Sequence, residues 1–500
     1  MEFFSSSVES QTILLHPVDT QAAFLNVPYH FFYANSANET DFMPSEALRK
    51  SFYQALTKFP ILAGYLRSDG GGQTSVVIDP HDLNMPEYKE SASNIHMDVL
   101  CECNYHHSSW PAGLSTTGAI TKAGVDGRIK LLNVHVVRMS DNSGVIIFVN
   151  IPHYVVDGTG FFSFVELWGT LCRAERMQDS ELAKTAIARN YCFDRGIIAR
   201  HLPDDRKPLD TDTLDVYTGF NPVADWLAWL SPNTRSQLLD RAKFSANIVS
   251  HTFRVSQQSL ELLCEQVSKY MPGGQNPTPT HVFAALVSKT VARAHKQCDE
   301  KKLKLTMSVG GVFGLITHAL KLPLRLVFGK EKYQSLNLLA DMRHPLGLVD
   351  QNYMGNGLLP HNTKCPLDVL EKDTSPESLA EATAIVSSIY SNADSSLVGS
   401  FIDMISARPS CFTRPMVYLA THPKLLVITN ETAFKLYKAD FGNGLPEWTC
   451  TIPSFVANFV GFLPSPPPST DIVVNITMKK QVMNYILKDE FWRSISQIVY

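Results

Sequence analysis

No block of lysine and arginine interleaved with aromatic residues occurs in this 500-residue chain, and its formal net charge is −4. Nothing in that balance draws it to a phosphate backbone, so no nucleic-acid partner is expected. Glycine-rich phosphate loops and Gly-x-Ser-x-Gly elbows are missing too, which removes the usual signatures of an NTPase and of a serine hydrolase. Gly158-Thr-Gly160 is too short for a dinucleotide fingerprint and has no third glycine. The nine cysteines are scattered, with Cys101-Glu-Cys103 the one close pair, and none has zinc-ligand spacing. His106-His107 reads as a surface loop, because adjacent side chains diverge on any regular element and no carboxylate or cysteine follows at ligand spacing. No metal and no disulfide framework are expected. Met1-Glu-Phe-Phe-Ser5 lacks the basic residues and continuous apolar core of a signal peptide. A reducing, cytoplasmic setting is the expectation, with the sequons at Asn38, Asn430 and Asn475 unglycosylated. No integral membrane span is expected either. The uncharged run over 305–320 falls short of the roughly 20 residues a span needs and reads as a buried helix or an apolar flap.

What is present is a globular composition, 44% hydrophobic and 18% charged, in a length that exceeds one ordinary domain. Two domains are expected, residues 1–200 and 246–500, joined by a polar, proline-punctuated crossover over 201–245. The stretch that organises the first is Asn150-Ile-Pro-His-Tyr-Val-Val-Asp-Gly-Thr-Gly-Phe-Phe-Ser163. Residues 145–151 are apolar and β-branched, as a buried strand requires, and pair with 131–137 across the turn at 141–144. Phe161, Phe162, Val165 and Leu167-Trp168 recur at roughly helical spacing after Thr159, a candidate N-cap. His153 thus stands at a strand-to-helix junction. A histidine titrates near neutrality and can take the proton of an attacking hydroxyl, a task worth roughly 10²–10⁴ in rate. Asp157 has three readings: it holds the imidazole, pairs with an arginine elsewhere, or shapes the Asp-Gly turn. A bare His-x-x-x-Asp arises often by chance and is then more often structural.

Downstream lie Ala340-Asp-Met-Arg343, Asn352-Tyr-Met-Gly-Asn356 and Lys438-Ala-Asp-Phe-Gly-Asn-Gly-Leu-Pro446. With these the chain resembles the BAHD acyltransferases, including their fungal relatives of the trichothecene acetyltransferase type. That family carries His-x-x-x-Asp-Gly mid-chain, Asp-x-Arg before Tyr-Phe-Gly-Asn, and Asp-Phe-Gly-Trp-Gly near the C-terminus. Leu48-Arg-Lys-Ser-Phe-Tyr-Gln-Ala-Leu56, Phe59-Pro-Ile-Leu-Ala-Gly64, Cys192-Phe-Asp-Arg195 and Thr278-Pro-Thr-His-Val-Phe-Ala-Ala-Leu286 are similar to further family stretches in the same order.

The resemblance implies an α/β fold of two chloramphenicol acetyltransferase-like domains, each a mixed β-sheet flanked by helices, with the active-site channel between them. It implies acetyl-CoA, or another acyl-CoA, as co-substrate, no bound cofactor, a small-molecule alcohol as acceptor, and a monomer. His153 matches the general base. Asp157 and Gly158 match a loop-structuring pair, with Arg343 as the partner of Asp157. Asp440, Phe441, Gly442 and Gly444 match a structural motif away from the reacting atoms that supports CoA binding. Thr429 matches a residue that assists the oxyanion. The chain departs from the pattern at Asn443 and Glu431, where the family has tryptophan, and at Met354, where it has phenylalanine. The phenylalanines beside His153 and the 305–320 run point to an apolar secondary metabolite. An N-acyltransferase, a stand-alone condensation-type enzyme of the same fold and a catalytically silent CoA-binding relative stand as alternatives. The condensation reading meets Pro152 where its usual first histidine would be.

Overall fold

Nine consecutive buried residues, Gly144–Pro152, form the middle strand of a five-stranded sheet. A strand with no exposed position is covered on both faces, which is why its sequence is continuously apolar rather than alternating. These positions come from a computed structural model that describes residues 2–21, 25–68, 73–118, 120–211, 214, 226, 247–274, 276–309, 332–407, 425–454 and 456–500. Asn26–Ala34 and Asn133–Met139 flank the middle strand, both antiparallel, and Glu87–Ser93 adds in parallel beyond the latter. Arg138 stands opposite Val145, so the hairpin across 141–144 is present. The far edge is Trp448–Thr451, antiparallel to Asn26–Ala34. A strand from late in the chain therefore completes the early sheet. Helices Ser45–Lys58 and Gly158–Met177 pack together beside it, with the Trp168 ring 5.5 Å from that of Phe52 and Trp168 Nε1 donating to the Leu48 carbonyl at 2.9 Å.

The second sheet has seven strands, in the order Leu358–Pro366, Tyr333–Asp341, Leu426–Asn430, Phe459–Pro464, Ile472–Lys479, Ile248–Val255 and Ser496–Ile498. Leu426–Asn430 is parallel to both neighbours, and the other pairings are antiparallel. Side chains alternate across a strand. Leu336, Leu338, Leu426, Ile428, Val460 and Phe462 share one face and a core with Phe283 and Trp492 of the covering helices. The register puts Asn337, Asn362, Thr429 and Gly461 on the other. The architecture is the α/β fold of helix-flanked mixed sheets that the motifs imply. A smaller sheet joins Gln11–Leu14, Thr74–Ile78 and Tyr65–Ser68.

Several local expectations change. Residues 12–33 read in sequence as an initial strand region punctuated by Pro17 and Pro28, but helix Pro17–Gln21 breaks it, its first residue a proline pre-set for a helical first turn. In sequence the apolar stretch 280–293 after Pro277 and Pro279 predicts a helix with Arg293 and Lys296 at its C-terminal end, and in the structure this helix runs as Pro279–Val309. Arg293 and Lys296 therefore lie within it rather than at its end, where Arg293 pairs with Asp489 and Lys296 lies 3.4 Å from Glu371. Residues 481–491 read in sequence as one closing helix and form two, Lys480–Ile486 and Glu490–Ile495. Residues 305–309 of the apolar run continue the long helix, and the rest of it, most of the 201–245 crossover and the turn at 69–72 lie outside the described residues. Among the described residues no helix is long and apolar enough to cross a membrane, and no group of His, Cys, Asp or Glu is arranged to hold a metal ion.

Candidate active site

Between the strand Gly144–Pro152 and the helix Gly158–Met177 lies the loop that carries His153. Asp157, not Thr159, caps the helix: its Oδ1 accepts from the Thr159 N–H at 3.0 Å and the Gly160 N–H at 3.3 Å. The same carboxylate meets Arg343, whose Nη1 lies 2.8 Å from Oδ2 and whose Nη2 donates to Oδ1 at 2.9 Å. The Gly357 N–H adds a third backbone donor at 2.9 Å. Both partners are buried, Asp157 at 6% and Arg343 at 4% exposure. Burial disfavours the ionised carboxyl, but Arg343 and these hydrogen bonds outweigh it and hold Asp157 below the usual carboxylate range. Of the three readings of Asp157, the geometry gives the arginine pair, joined to a helix cap. Gly158 packs so tightly that a Cβ there would stand 2.2 Å from the Phe434 ring.

His153 itself is gripped through its backbone. Its N–H donates to the Leu25 carbonyl at 2.8 Å, and its carbonyl accepts from Asn356 Nδ2 at 2.6 Å. The side chain is partly buried, and Nδ1 is enclosed with no hydrogen-bond partner. Asn356 is anchored in turn, because its N–H and Nδ2 both donate to Asp19 Oδ1 at 3.1 Å. Asp19 Oδ2 accepts from Arg195 Nε at 3.1 Å, and Arg195 Nη2 donates to the Val155 carbonyl at 2.6 Å. Asp19 and Arg195 are both buried. Two buried ion pairs thus fix the backbone of 153–157 from two sides. The sequence offers Arg195 and Asn356 within family-like stretches, but nothing local to Asp19 points to this role, since Arg195 and Asn356 lie 176 and 337 residues away and its one near partner is the His16 N–H at 2.9 Å.

Thr429 sits on the seven-stranded sheet opposite Gly461. Two residues on, the Glu431 carboxyl accepts from the Tyr29 hydroxyl. Tyr29 belongs to Asn26–Ala34, so this carboxyl joins the two large sheets. The Tyr29 ring lies 5.4 Å from Phe161 and 4.9 Å from Phe162, and Phe162 lies 5.6 Å from Phe434. Burial pushes Glu431 up to about 7, with the hydrogen bond from Tyr29 offsetting part of the effect. From sequence, Glu431 is only a mismatch to a tryptophan. The one available signal is an acidic residue directly after an apolar strand.

The Asp440 motif lies apart. Asp440 Oδ1 accepts from the Gly442 N–H at 2.8 Å and the Gly444 N–H at 3.1 Å, while Oδ2 takes Arg173 Nη1 at 3.0 Å. Gly442 and Gly444 have φ of +96° and +95°, a region that suits glycine alone. Phe441 is buried edge-on to Trp168 at 4.9 Å and Tyr33 at 5.7 Å. Asn443 is no idle replacement. It accepts from the Met43 N–H at 3.1 Å and from Arg176, and donates to Glu39 at 2.6 Å. A Cβ at Gly169 would stand 3.1 Å from the Asp440 backbone. Gly169 is roughly 16 Å along the helix from Gly158 at about 1.5 Å per residue. The structure therefore brings Asp157, Gly158 and Arg343 to the His153 loop, leaves Thr429 on the seven-stranded sheet opposite Gly461, and sets Asp440, Phe441, Gly442 and Gly444 at the far part of the helix.

Two mixed sheets, with a histidine loop fixed between a buried strand and a long helix, define an architecture with solved members. The chain is similar to TRI101 of F. sporotrichioides, solved with coenzyme A and T-2, at a TM-score of 0.69 and 15% identity over 98% of this chain and 100% of that one. It is similar to TRI101 of F. graminearum, solved with coenzyme A and T-2 mycotoxin, at 0.67 and 14% over the same shares. Vinorine synthase follows at 0.59 and 17%, over 98% and 97%. Identities this low speak to the fold. No curated protein sequence matches the chain significantly. Residues 3–313, more than half of the sequence, match the transferase family. The chain belongs to that family, the BAHD acyltransferases that its motifs resemble.

Proposed function

We propose that this chain is an acyl-CoA-dependent O-acyltransferase that moves an acyl group, acetyl first among the candidates, to a hydroxyl of an apolar secondary metabolite, with His153 as general base. The observation that carries this reading is the His153 loop, where two buried ion pairs hold the backbone and leave the ring's Nδ1 without a partner. A base has to be held rigidly, and with Nδ1 enclosed it is Nε2 that takes the proton in this reading. Membership of the transferase family supports the reaction class, and the TRI101 structures with coenzyme A and T-2 support the donor and a small-molecule acceptor.

In this reading His153 Nε2 takes the hydroxyl proton as the acceptor oxygen attacks the thioester carbonyl. The C–O bond forms, the carbonyl electron pair moves to oxygen, and Thr429 assists that charge. Collapse breaks the C–S bond, and the leaving thiolate takes the proton from the imidazolium, giving one ester and one free thiol. Asp157, Gly158 and Arg343 structure the loop, while Asp440, Phe441, Gly442 and Gly444 brace the helix that begins there. The division into 1–200 and 246–500 about a 201–245 crossover, with a channel between the two parts, goes with this proposal, as does a cytoplasmic monomer. The test is to incubate the purified protein with acetyl-CoA and a panel of apolar alcohols and matching amines, following free thiol and a mass gain of one acetyl group. Ester formation is the expected result. Amide formation would move the reading to N-acylation, and CoA binding without turnover to a silent relative.

A further inference from the structure

Resting on the acyl-transfer reading, the geometry points to Asn337 and Asn362 as a binding site for an amide of the pantetheine arm of acyl-CoA. The two residues stand directly opposite each other on the paired strands Tyr333–Asp341 and Leu358–Pro366. Side chains in that relation have Cβ atoms about 4.5–5.5 Å apart, near enough for two amides to bond to each other, and these do not. Asn362 Oδ1, Asn362 Nδ2 and Asn337 Oδ1 are all enclosed without a hydrogen-bond partner. Asn362 is 2% exposed and Asn337 7%. Among the described residues Asn362 is the one side chain with two polar atoms in that state. Burying an unpaired amide costs free energy, and folded proteins satisfy nearly all such groups.

The face they occupy is turned toward the sheet of His153. Leu463 and Val473 lie on it, opposite each other, and both belong to the core that holds Phe161 and Trp168. Thr429 lies on it too: Val427 pairs with Asn337, and Thr429 follows two residues on, about 7 Å along the strand. Elsewhere on this face polar side chains satisfy one another. Asn475 Nδ2 donates to Thr252 Oγ1 at 3.2 Å, and Ser250 bonds to Thr477. Asn362 has no such neighbour. The pantetheine arm joins the thioester to the diphosphate through two secondary amides, each with one C=O and one N–H. Such an amide accepts from Asn362 Nδ2 through its carbonyl and donates to an asparagine Oδ1 through its N–H, which supplies what the folded chain leaves unpaired. Asn337 and Asn362 stand one and two strands from the strand of Thr429, about 5 and 10 Å across the sheet, a distance the arm spans from a thioester whose carbonyl meets Thr429.

The test is a ladder of acetyl donors with one fixed acceptor: S-acetyl ethanethiol with no amide, S-acetyl-N-acetylcysteamine with one, and S-acetyl-pantetheine with two. Wild-type kcat/KM should step up where an amide is added, and a wild type indifferent to the amides overturns the proposal. Asn337→Leu and Asn362→Leu should each cut the ratio of kcat/KM for S-acetyl-pantetheine to that for S-acetyl ethanethiol by about tenfold, as the loss of one or two neutral hydrogen bonds does. Because the Asn362 amide has no partner within the protein, Asn362→Leu should melt no lower than the wild type while losing that preference. A second readout needs no turnover. In calorimetric titrations the Kd for pantetheine should rise about tenfold in Asn362→Leu, with the Kd for 3′,5′-ADP unchanged. A donor ratio unchanged in both variants, or an equal weakening toward pantetheine and 3′,5′-ADP, overturns the proposal. Transfer from none of the donors by the wild type would instead sink the acyl-transfer reading, and the titrations would still decide the site.

Discussion

One helix, Gly158–Met177, carries an aspartate–arginine contact at each end, and the two are built differently. At its start Asp157 and Arg343 have side chains 9% and 5% exposed, and Arg343 also donates to the Tyr353 carbonyl at 2.9 Å and the Gly355 carbonyl at 2.6 Å. Toward its end Asp440 and Arg173 are 21% and 36% exposed, and the aspartate is committed mainly to two glycine N–H groups. Removing one partner of a buried pair leaves an uncompensated charge and costs roughly 3–5 kcal/mol. An exposed pair is worth roughly 0–1 kcal/mol. The charge at the His153 end is therefore structural at high stakes, whereas the Asp440 end is held by turn geometry and by Phe441.

Arg343→Ala should have the largest effect, a loss of about 3–5 kcal/mol read as a lower urea midpoint and poor soluble yield. Acid sharpens the same point. Asp157 titrates lower in the folded than in the unfolded chain, so its contribution is present above its unfolded value of about 3.9 and is lost as pH falls through its folded value. Urea titrations from pH 6 to pH 3 should show wild-type stability falling more steeply than that of Asp157→Asn. Next comes Asn356→Ala, which removes the donors to the His153 carbonyl and to Asp19. It should cost about 1–3 kcal/mol and lower kcat with little change in KM, the mark of a misplaced base. The smallest effect belongs to Asp440→Asn, which keeps the oxygen that accepts from Gly442 and Gly444 and loses only the exposed pair, within about 1 kcal/mol. An Asp440→Asn as damaging as Arg343→Ala would erase the contrast between the two ends.

Local pattern made the His153 hairpin and the helix after it readable, because a buried strand, a turn and helical spacing are all written within about thirty residues. The partner of Asp157 was readable only through the resemblance, since nothing near residue 343 points back to residue 157. Asp19, the bond between Tyr29 and Glu431, and the placing of Trp448–Thr451 in the early sheet left no periodic trace, as each depends on contacts across most of the chain. The extension of the long helix to Val309 was hidden for a different reason. Its charged residues look like a helix end in sequence, yet Arg293 and Lys296 find Asp489 and Glu371.

The most direct measurement is the rate of thiol release from acetyl-CoA by His153→Ala, at an unchanged melting temperature and with an acceptor that the wild type turns over. The imidazole contributes no hydrogen bond through Nδ1 to the fold, so its removal should leave the protein intact and lower kcat by at least roughly 10²–10⁴. A folded His153→Ala that turns over at the wild-type rate would contradict the account.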